Sequence, residues 1–165
     1  MNGEQLRFFW RDERVVVNLS IDDRDMLTQV LPQLRQMLLE ESDPALRRLS
    51  PPAQPDDAEA EAFYRQMVAD ELLSSRLSAI ETVTSGIDGA ELDDAGIVAW
   101  MQSLNALRLV LGERLDVDVL GHDYLDELDE ADERFVIGTL YEWLGWLLEQ
   151  LVQASTNALA DDESN

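Results

Sequence analysis

The chain has 165 residues, enough for one domain with a substantial core, and 45% of them are hydrophobic, as is ordinary for a globular protein. Its charge is unusual, because 35 acidic residues oppose 12 basic residues, all of them arginine, for a formal net charge of −23. This negative field disfavours direct DNA or RNA binding, and the absence of cysteine excludes disulfides, thiol catalysis and cysteine metal sites.

The N-terminal residues 1–19 are predicted to form a β-hairpin that caps the rest of the chain. Two short aromatic and β-branched segments, residues 6–11 and 14–19, are separated by Asp12 and Glu13. This two-residue connection lacks the glycine that is usual in hairpin turns. Because an isolated hairpin is marginal in water, we expect it to pack on other elements.

The first helix is predicted to start after Ser20 and to end near Glu41. Ser20 precedes Ile21, and Asp23 lies three positions beyond Ser20, which approximates a capping box. Pro32 falls on the face opposite the apolar one, where a kink bends the helix around its core. The apolar face consists of Leu27, Val30, Leu31, Leu34, Met37 and Leu38.

Three more long helices and one short helix complete the prediction. The short helix lies at 44–49 in a proline-rich connection, and the long helices span 57–83, Asp93 or Asp94 to Leu115, and 132–156. A break at 86–91 and an acidic loop over 116–131 separate the long helices. The predicted class is mainly α, a bundle of four long helices and a short one with an N-terminal hairpin. One domain spans 1–156, with residues 157–165 as a disordered tail.

The stretch WMQSLNALRLVLGERL sets Asn105 and Arg108 among leucines. On a helix, Arg108 lies inside the edge of the apolar face and Asn105 just beyond it. Burial of an unpaired guanidinium costs several kcal/mol, so a carboxylate should meet it. Asp70 lies on the face of the preceding helix that carries Phe63, Met67, Leu73, Leu77 and Ile80. We therefore predict an Arg108–Asp70 ion pair, with Asn105 completing the hydrogen bonds.

This predicted pair has three interpretations. The favoured one is structural, an ion pair that fixes the register of two helices. The alternatives are a small-ligand pocket around Arg108 and Asn105, and a partner-binding site.

Three segments resemble a known family. They are Trp-x₃-Leu-Asn-x₂-Arg-Leu-x-Leu-Gly at 100–112, DPALRRLSPPAQPDDAEAEAFY at 43–64 and LYEWLGWLLEQLV at 140–152. Together they resemble the actinobacterial family called domain of unknown function two-thousand-and-seventeen, over residues 40–152 and more loosely over the hairpin. The resemblance implies a regulatory role in stress response or proteolysis, since the family's genes often lie near the adaptor of the Clp protease, and it implies no catalytic residues.

The acidic segment DVDVLGHDYLDE offers a weak calcium candidate. Asp116, Asp118 and Glu127 occupy ligand positions of an EF-hand loop, but Leu120 at the fifth position cannot ligate. A solvated loop is the favoured interpretation, and no cofactor is expected. The only histidine is His122, and no HExxH, Gly-x-Ser-x-Gly or phosphate-loop motif occurs, so we expect no enzymatic activity.

Two further sites are candidates for contacts with other molecules. Arg47 and Arg48 are the one adjacent pair of bases and could contact an acidic ligand, although such arginines more often meet their own chain's carboxylates. On the last helix, Trp143 and Trp146 extend the apolar arc to roughly 240°. Gly138 and Gly145, also on that helix, would let another helix approach closely. This helix is either central in the bundle or an interface for a homodimer or a partner.

We therefore expect a non-enzymatic acidic regulator or adaptor that binds a protein with a basic surface. The alternative function is a small-molecule or metal sensor with a pocket around Arg108 and Asn105. The N-terminus lacks the features of a signal peptide, and no apolar run reaches about 18 residues, so we expect a cytoplasmic protein without a membrane span.

Overall fold

A computed structural model describes residues 5–40, 58–115 and 129–162. The elements are β1 Phe8–Arg11, β2 Arg14–Val17, α1 Ile21–Glu40, α2 Ala58–Gly86, β3 Glu91–Leu92, α3 Asp94–Leu115 and α4 Glu133–Asp162. The fold is mainly α, with four long helices and an N-terminal antiparallel strand pair, which confirms the predicted class. The predicted short helix at 44–49 lies outside the described residues.

The hairpin forms with the predicted two-residue turn at Asp12 and Glu13, although this turn lacks glycine. β1 pairs antiparallel with β2, from Phe8 opposite Val17 to Arg11 opposite Arg14. Asp12 and Glu13 both have positive φ, 50° and 62°, which is the type I′ geometry that matches the twist of the strands. A third strand, β3, pairs with β2 and was not predicted, because two residues carry too little pattern.

The hairpin contributes to the core as well as capping it. Phe8, Val15 and Val17 are buried. The ring of Phe8 meets the fully buried Trp100 of α3 edge-on, with 5.6 Å between ring centroids. Aromatic pairs in this arrangement stabilise beyond their buried area, by about 0.5–1.5 kcal/mol.

The core is centred on α3 and α4, which make the most extensive contact between elements. Leucine is the commonest buried residue type on these two helices, because its spacing places it on one face of each. The fully buried residues of these two helices are Trp100, Leu104, Leu144, Leu147 and Leu151. α1 adds its predicted face, with Leu27, Leu31, Leu34 and Leu38 buried.

The residues that α2 buries are not all those that were predicted. Its C-terminal half packs on the core through Ala79, Ile80 and Val83, whereas Phe63 and Met67 are exposed. At about 100° per residue, Phe63 and Met67 lie about 100° and 140° around the axis from Ile80, so they do not share its face. The predicted single apolar face is therefore wrong for the N-terminal half.

α4 is longer than predicted. It continues to Asp162 and includes residues 157–162, for which the sequence analysis predicts a disordered tail. This stretch has no glycine or proline, and Ala158, Leu159 and Ala160 favour helix. None of the described helices combines the length and the apolar character that crossing a bilayer requires.

Candidate functional site

Asp23, in the first turn of α1, is the one charged residue in the described part of the chain that is buried, and only 6% of its surface is exposed. Its Oδ2 accepts a hydrogen bond from the backbone N–H of Ser20 at 3.0 Å. The Oγ of Ser20 accepts one from the Asp23 N–H at 3.2 Å. These reciprocal bonds form the predicted capping box.

Asp23 also joins three parts of the chain. The Nε of Arg7, just before β1, donates to Oδ2 in an ion pair. The indole Nε1 of Trp143 in α4 donates to Oδ1 at 3.1 Å. The guanidinium of Arg7 lies over the ring of Trp146, 5.3 Å from its centroid, and the Arg7 N–H donates to Oε1 of Gln150 at 2.8 Å. The hairpin, α1 and α4 are thereby fixed to one another.

These contacts set the charge state of the carboxylate. Burial raises the pKa of Asp23, but hydrogen bonds from Ser20, Trp143 and Arg7 together lower it by more than burial raises it. The pKa therefore falls below its ordinary value of 3.8. The group is therefore ionised at neutral pH. A general acid or base works best with a pKa near the working pH, so Asp23 is suited to holding Arg7 in place and unsuited to proton transfer.

A groove with a volume of about 550 Å³ lies beside this cluster, between the start of α1 and the first turns of α4. We call it the α1–α4 groove. Its apolar lining comprises Met26, Phe135, Val136, Leu140 and Trp143, and its polar lining comprises Arg7, Ser20, Asp22, Asp23 and Thr139. Asp23 is paired with Arg7, so the exposed carboxylate of Asp22 is the group that gives this mainly apolar depression a negative side.

The structure separates the predicted Arg108–Asp70 pair. Asp70 is exposed, and its Oδ1 accepts a hydrogen bond from Gln66 at 3.2 Å. Asn105 is also exposed. Arg108 is half-buried at the edge of the α3 face, as predicted, but its guanidinium lies over the ring of Tyr141, 5.2 Å from the centroid. The structure does not bring Arg108 and Asp70 together, because Asp70 belongs to the half of α2 that leaves the core.

Arg108 lines a second groove, of about 600 Å³. Its Nε is buried and has no hydrogen-bond partner within the described ranges. A Cβ at Gly145 would lie 3.6 Å from this Nε, which is an ordinary van der Waals distance, so the approach of α3 and α4 does not require glycine at this position. Glu142 and Glu149 line the same groove, and two acids beside one arginine disfavour an anionic ligand.

The other predicted site residues are either on α4 or outside the described residues. On α4, Trp143 and Trp146 are half-buried and contact Asp23 and Arg7, and Gly138 is buried. α4 is therefore central in the bundle. Trp143 also forms part of the α1–α4 groove. Five predicted contact residues lie outside the described residues: Arg47, Arg48, Asp116, Asp118 and Glu127. Within 5–40, 58–115 and 129–162, no group of three acidic or histidine side chains could hold a metal ion.

No curated protein and no solved structure matches the chain. The profile of one family, described as domain of unknown function (DUF2017), matches residues 5–155. This match starts before the hairpin and reaches into the last turns of α4. Because it covers most of the chain, the protein belongs to the DUF2017 family.

Proposed function

We propose that this protein is a non-enzymatic regulator or adaptor. Its α1–α4 groove would bind a partner protein whose own surface is basic. The observation that carries the proposal is the apolar lining of this groove next to the exposed carboxylate of Asp22. An apolar groove with charges at one side suits the apolar face of an amphipathic helix that also carries basic residues.

The polar groups of the groove favour a protein over a small molecule. Small-molecule sites use a few convergent polar groups that are free to fix the ligand. Here the carboxylate of Asp23 is already engaged by Ser20, Arg7 and Trp143. A partner whose binding rests on apolar area needs fewer free polar groups. The alternative function, a sensor at Arg108, is less favoured for an anionic small molecule, because Glu142 and Glu149 line that groove.

The net charge of −23 supports a basic partner. Complementary charge accelerates encounter and excludes wrong partners. A homodimer through α4 would bring two strongly negative chains together, and Trp143 and Trp146 already hold Asp23 and Arg7 within the chain. A different, basic protein is therefore favoured over a second copy. Stress-response transcription or proteolysis is the proposed setting, and the family resemblance is its support.

Val136→Glu tests the groove, with Val98→Glu as the matched control. Val136 lines the groove and is 66% exposed, whereas Val98 is 53% exposed on α3 and is not part of the groove lining. We expect wild type and Val98→Glu to capture the same basic protein from a native lysate. Val136→Glu should reduce its recovery about tenfold, equivalent to about 1.4 kcal/mol.

Circular dichroism and thermal unfolding should show that both glutamate variants keep the fold, because both positions are exposed. Raising the salt concentration should weaken capture, since charge complementarity contributes to it. Equal recovery with all three proteins would contradict the assignment of the groove.

A further inference from the structure

The N-terminal half of α2 carries three large apolar side chains in water. Phe63, Tyr64 and Met67 are 70%, 58% and 52% exposed. They are close neighbours on the helix surface, and we call them the α2 outer face. Single exposed apolar residues are common, but a contiguous group with two aromatic rings marks an interaction surface.

Among the described residues of α2, the charged groups that flank this face are all negative. At about 100° per residue, three carboxylates fall within the arc of the α2 outer face or within about 40° of it. They are Glu59, Asp70 and Glu71, all exposed. The one base in this half of the helix is Arg65, on the opposite side, where it forms an ion pair with Glu61 at 2.7 Å.

We propose that the α2 outer face docks a basic amphipathic helix of a partner protein. The partner's apolar stripe would cover Phe63, Tyr64 and Met67, and its lysines or arginines would meet Asp70 and Glu71. Aromatic and methionine side chains are the types that such interfaces favour. Asp70 thus becomes part of a binding surface, in place of the ion pair expected for it.

Charge selects this occupant over two others. A second copy of the chain would bring the same carboxylates against one another, with a net charge of −23 on each molecule. An anionic membrane surface would be repelled by the same acidic residues. The proposal does not depend on the α1–α4 groove, which is built from other elements. Two separate docking surfaces on one chain are what an adaptor that joins two proteins requires.

The test uses a defined probe, an 18-residue peptide of leucine and lysine with leucines at helical spacing and one photoreactive residue. Fluorescence anisotropy measures its affinity for the full chain at about 0.15 M salt. The first variant is Phe63→Ser with Met67→Ser. Its matched control is Leu72→Ser, an exposed apolar residue about 180° around the same helix from Phe63.

We expect the double variant to weaken the Kd of the probe at least tenfold and Leu72→Ser to change it less than twofold. A second variant, Asp70→Lys with Glu71→Lys, keeps the apolar residues and should weaken binding to a similar degree. Photo-cross-linking should label residues 59–71.

Three binding or cross-linking results would overturn the proposal. They are no binding of the probe, an unchanged affinity in the double variant, and cross-links confined to residues 135–143. The last result would instead place the peptide in the α1–α4 groove, so failure here is distinguishable from failure of the proposed function. Sedimentation that shows a wild-type dimer, converted to monomer by the double variant, would also overturn it.

Discussion

Two arginines pack against aromatic rings of α4, and they differ in one respect. Arg7 lies 5.3 Å from the ring centroid of Trp146, and Arg108 lies 5.2 Å from that of Tyr141. Arg7 also has a buried carboxylate, Asp23, whereas the Nε of Arg108 has no hydrogen-bond partner among the described residues. Both half-buried arginines thus have an aromatic contact at an apolar edge, and only Arg7 combines it with a buried acid. Asp23 needs an oppositely charged partner more than either arginine does, because it is buried whereas Arg7 and Arg108 are half-buried.

Removal of the acid should have the largest effect. Asp23→Ala loses the ion pair with Arg7, the bond from Trp143 and half of the capping box. We expect it to lower the free energy of unfolding by about 3 kcal/mol, the low end for breaking a buried pair, because the side chain of Arg7 is 19% exposed. Urea unfolding followed by tryptophan fluorescence measures this loss.

The neighbouring acid provides the control. Asp22 is exposed, and Asp22→Ala should change the free energy of unfolding by less than about 0.5 kcal/mol. Equal losses in the two variants would show that Asp23 is not the group on which the hairpin, α1 and α4 depend.

Acid should remove part of the same stabilisation. The pKa of Asp23 is lowered by folding, so its carboxylate contributes stability above its ordinary pKa of 3.8, and this is lost as the pH falls through the folded value. The difference in unfolding free energy between wild type and Asp23→Asn should be constant from about pH 7 to pH 5. It should become smaller as the pH falls below 3.8. The other carboxylates titrate in both proteins, so the difference isolates Asp23. A difference that stays constant throughout acid unfolding would contradict the assignment.

Local patterns in the sequence predicted most of the fold and one part of the cluster. Helical spacing of leucines placed α1, α3 and α4, and the Ser20–Asp23 pair predicted the capping box that the structure contains. The other partners of Asp23 are separated from it by 16 residues, for Arg7, and 120 residues, for Trp143. No local periodicity reports contacts between elements so far apart in the chain.

The partner of Arg108 was misassigned for a different reason. Asp70 was chosen because it lies between Leu77 and Phe63 around the axis of α2. The buried residues of α2 are Ala79, Ile80 and Val83, however, and Asp70 lies about 80° from Ile80 and about 140° from Val83 around the axis. The sequence also gave no sign that Tyr141 would supply an aromatic face in place of a carboxylate.

The smallest effects are expected at Arg108 and Asp70. Arg108→Met keeps the apolar stem that packs at the edge of α3 and removes a charge that has no acidic partner in the described part of the chain, so we expect a loss below about 1 kcal/mol. Asp70→Ala should be neutral within about 0.5 kcal/mol, and the double variant should show no coupling beyond about 0.5 kcal/mol. The parallel cycle with Arg7→Met and Asp23→Ala should give coupling clearly above that limit, because those side chains form an ion pair. Strong coupling between Arg108 and Asp70 would restore the predicted pair, and it would mean that the N-terminal half of α2 packs against α3 in solution.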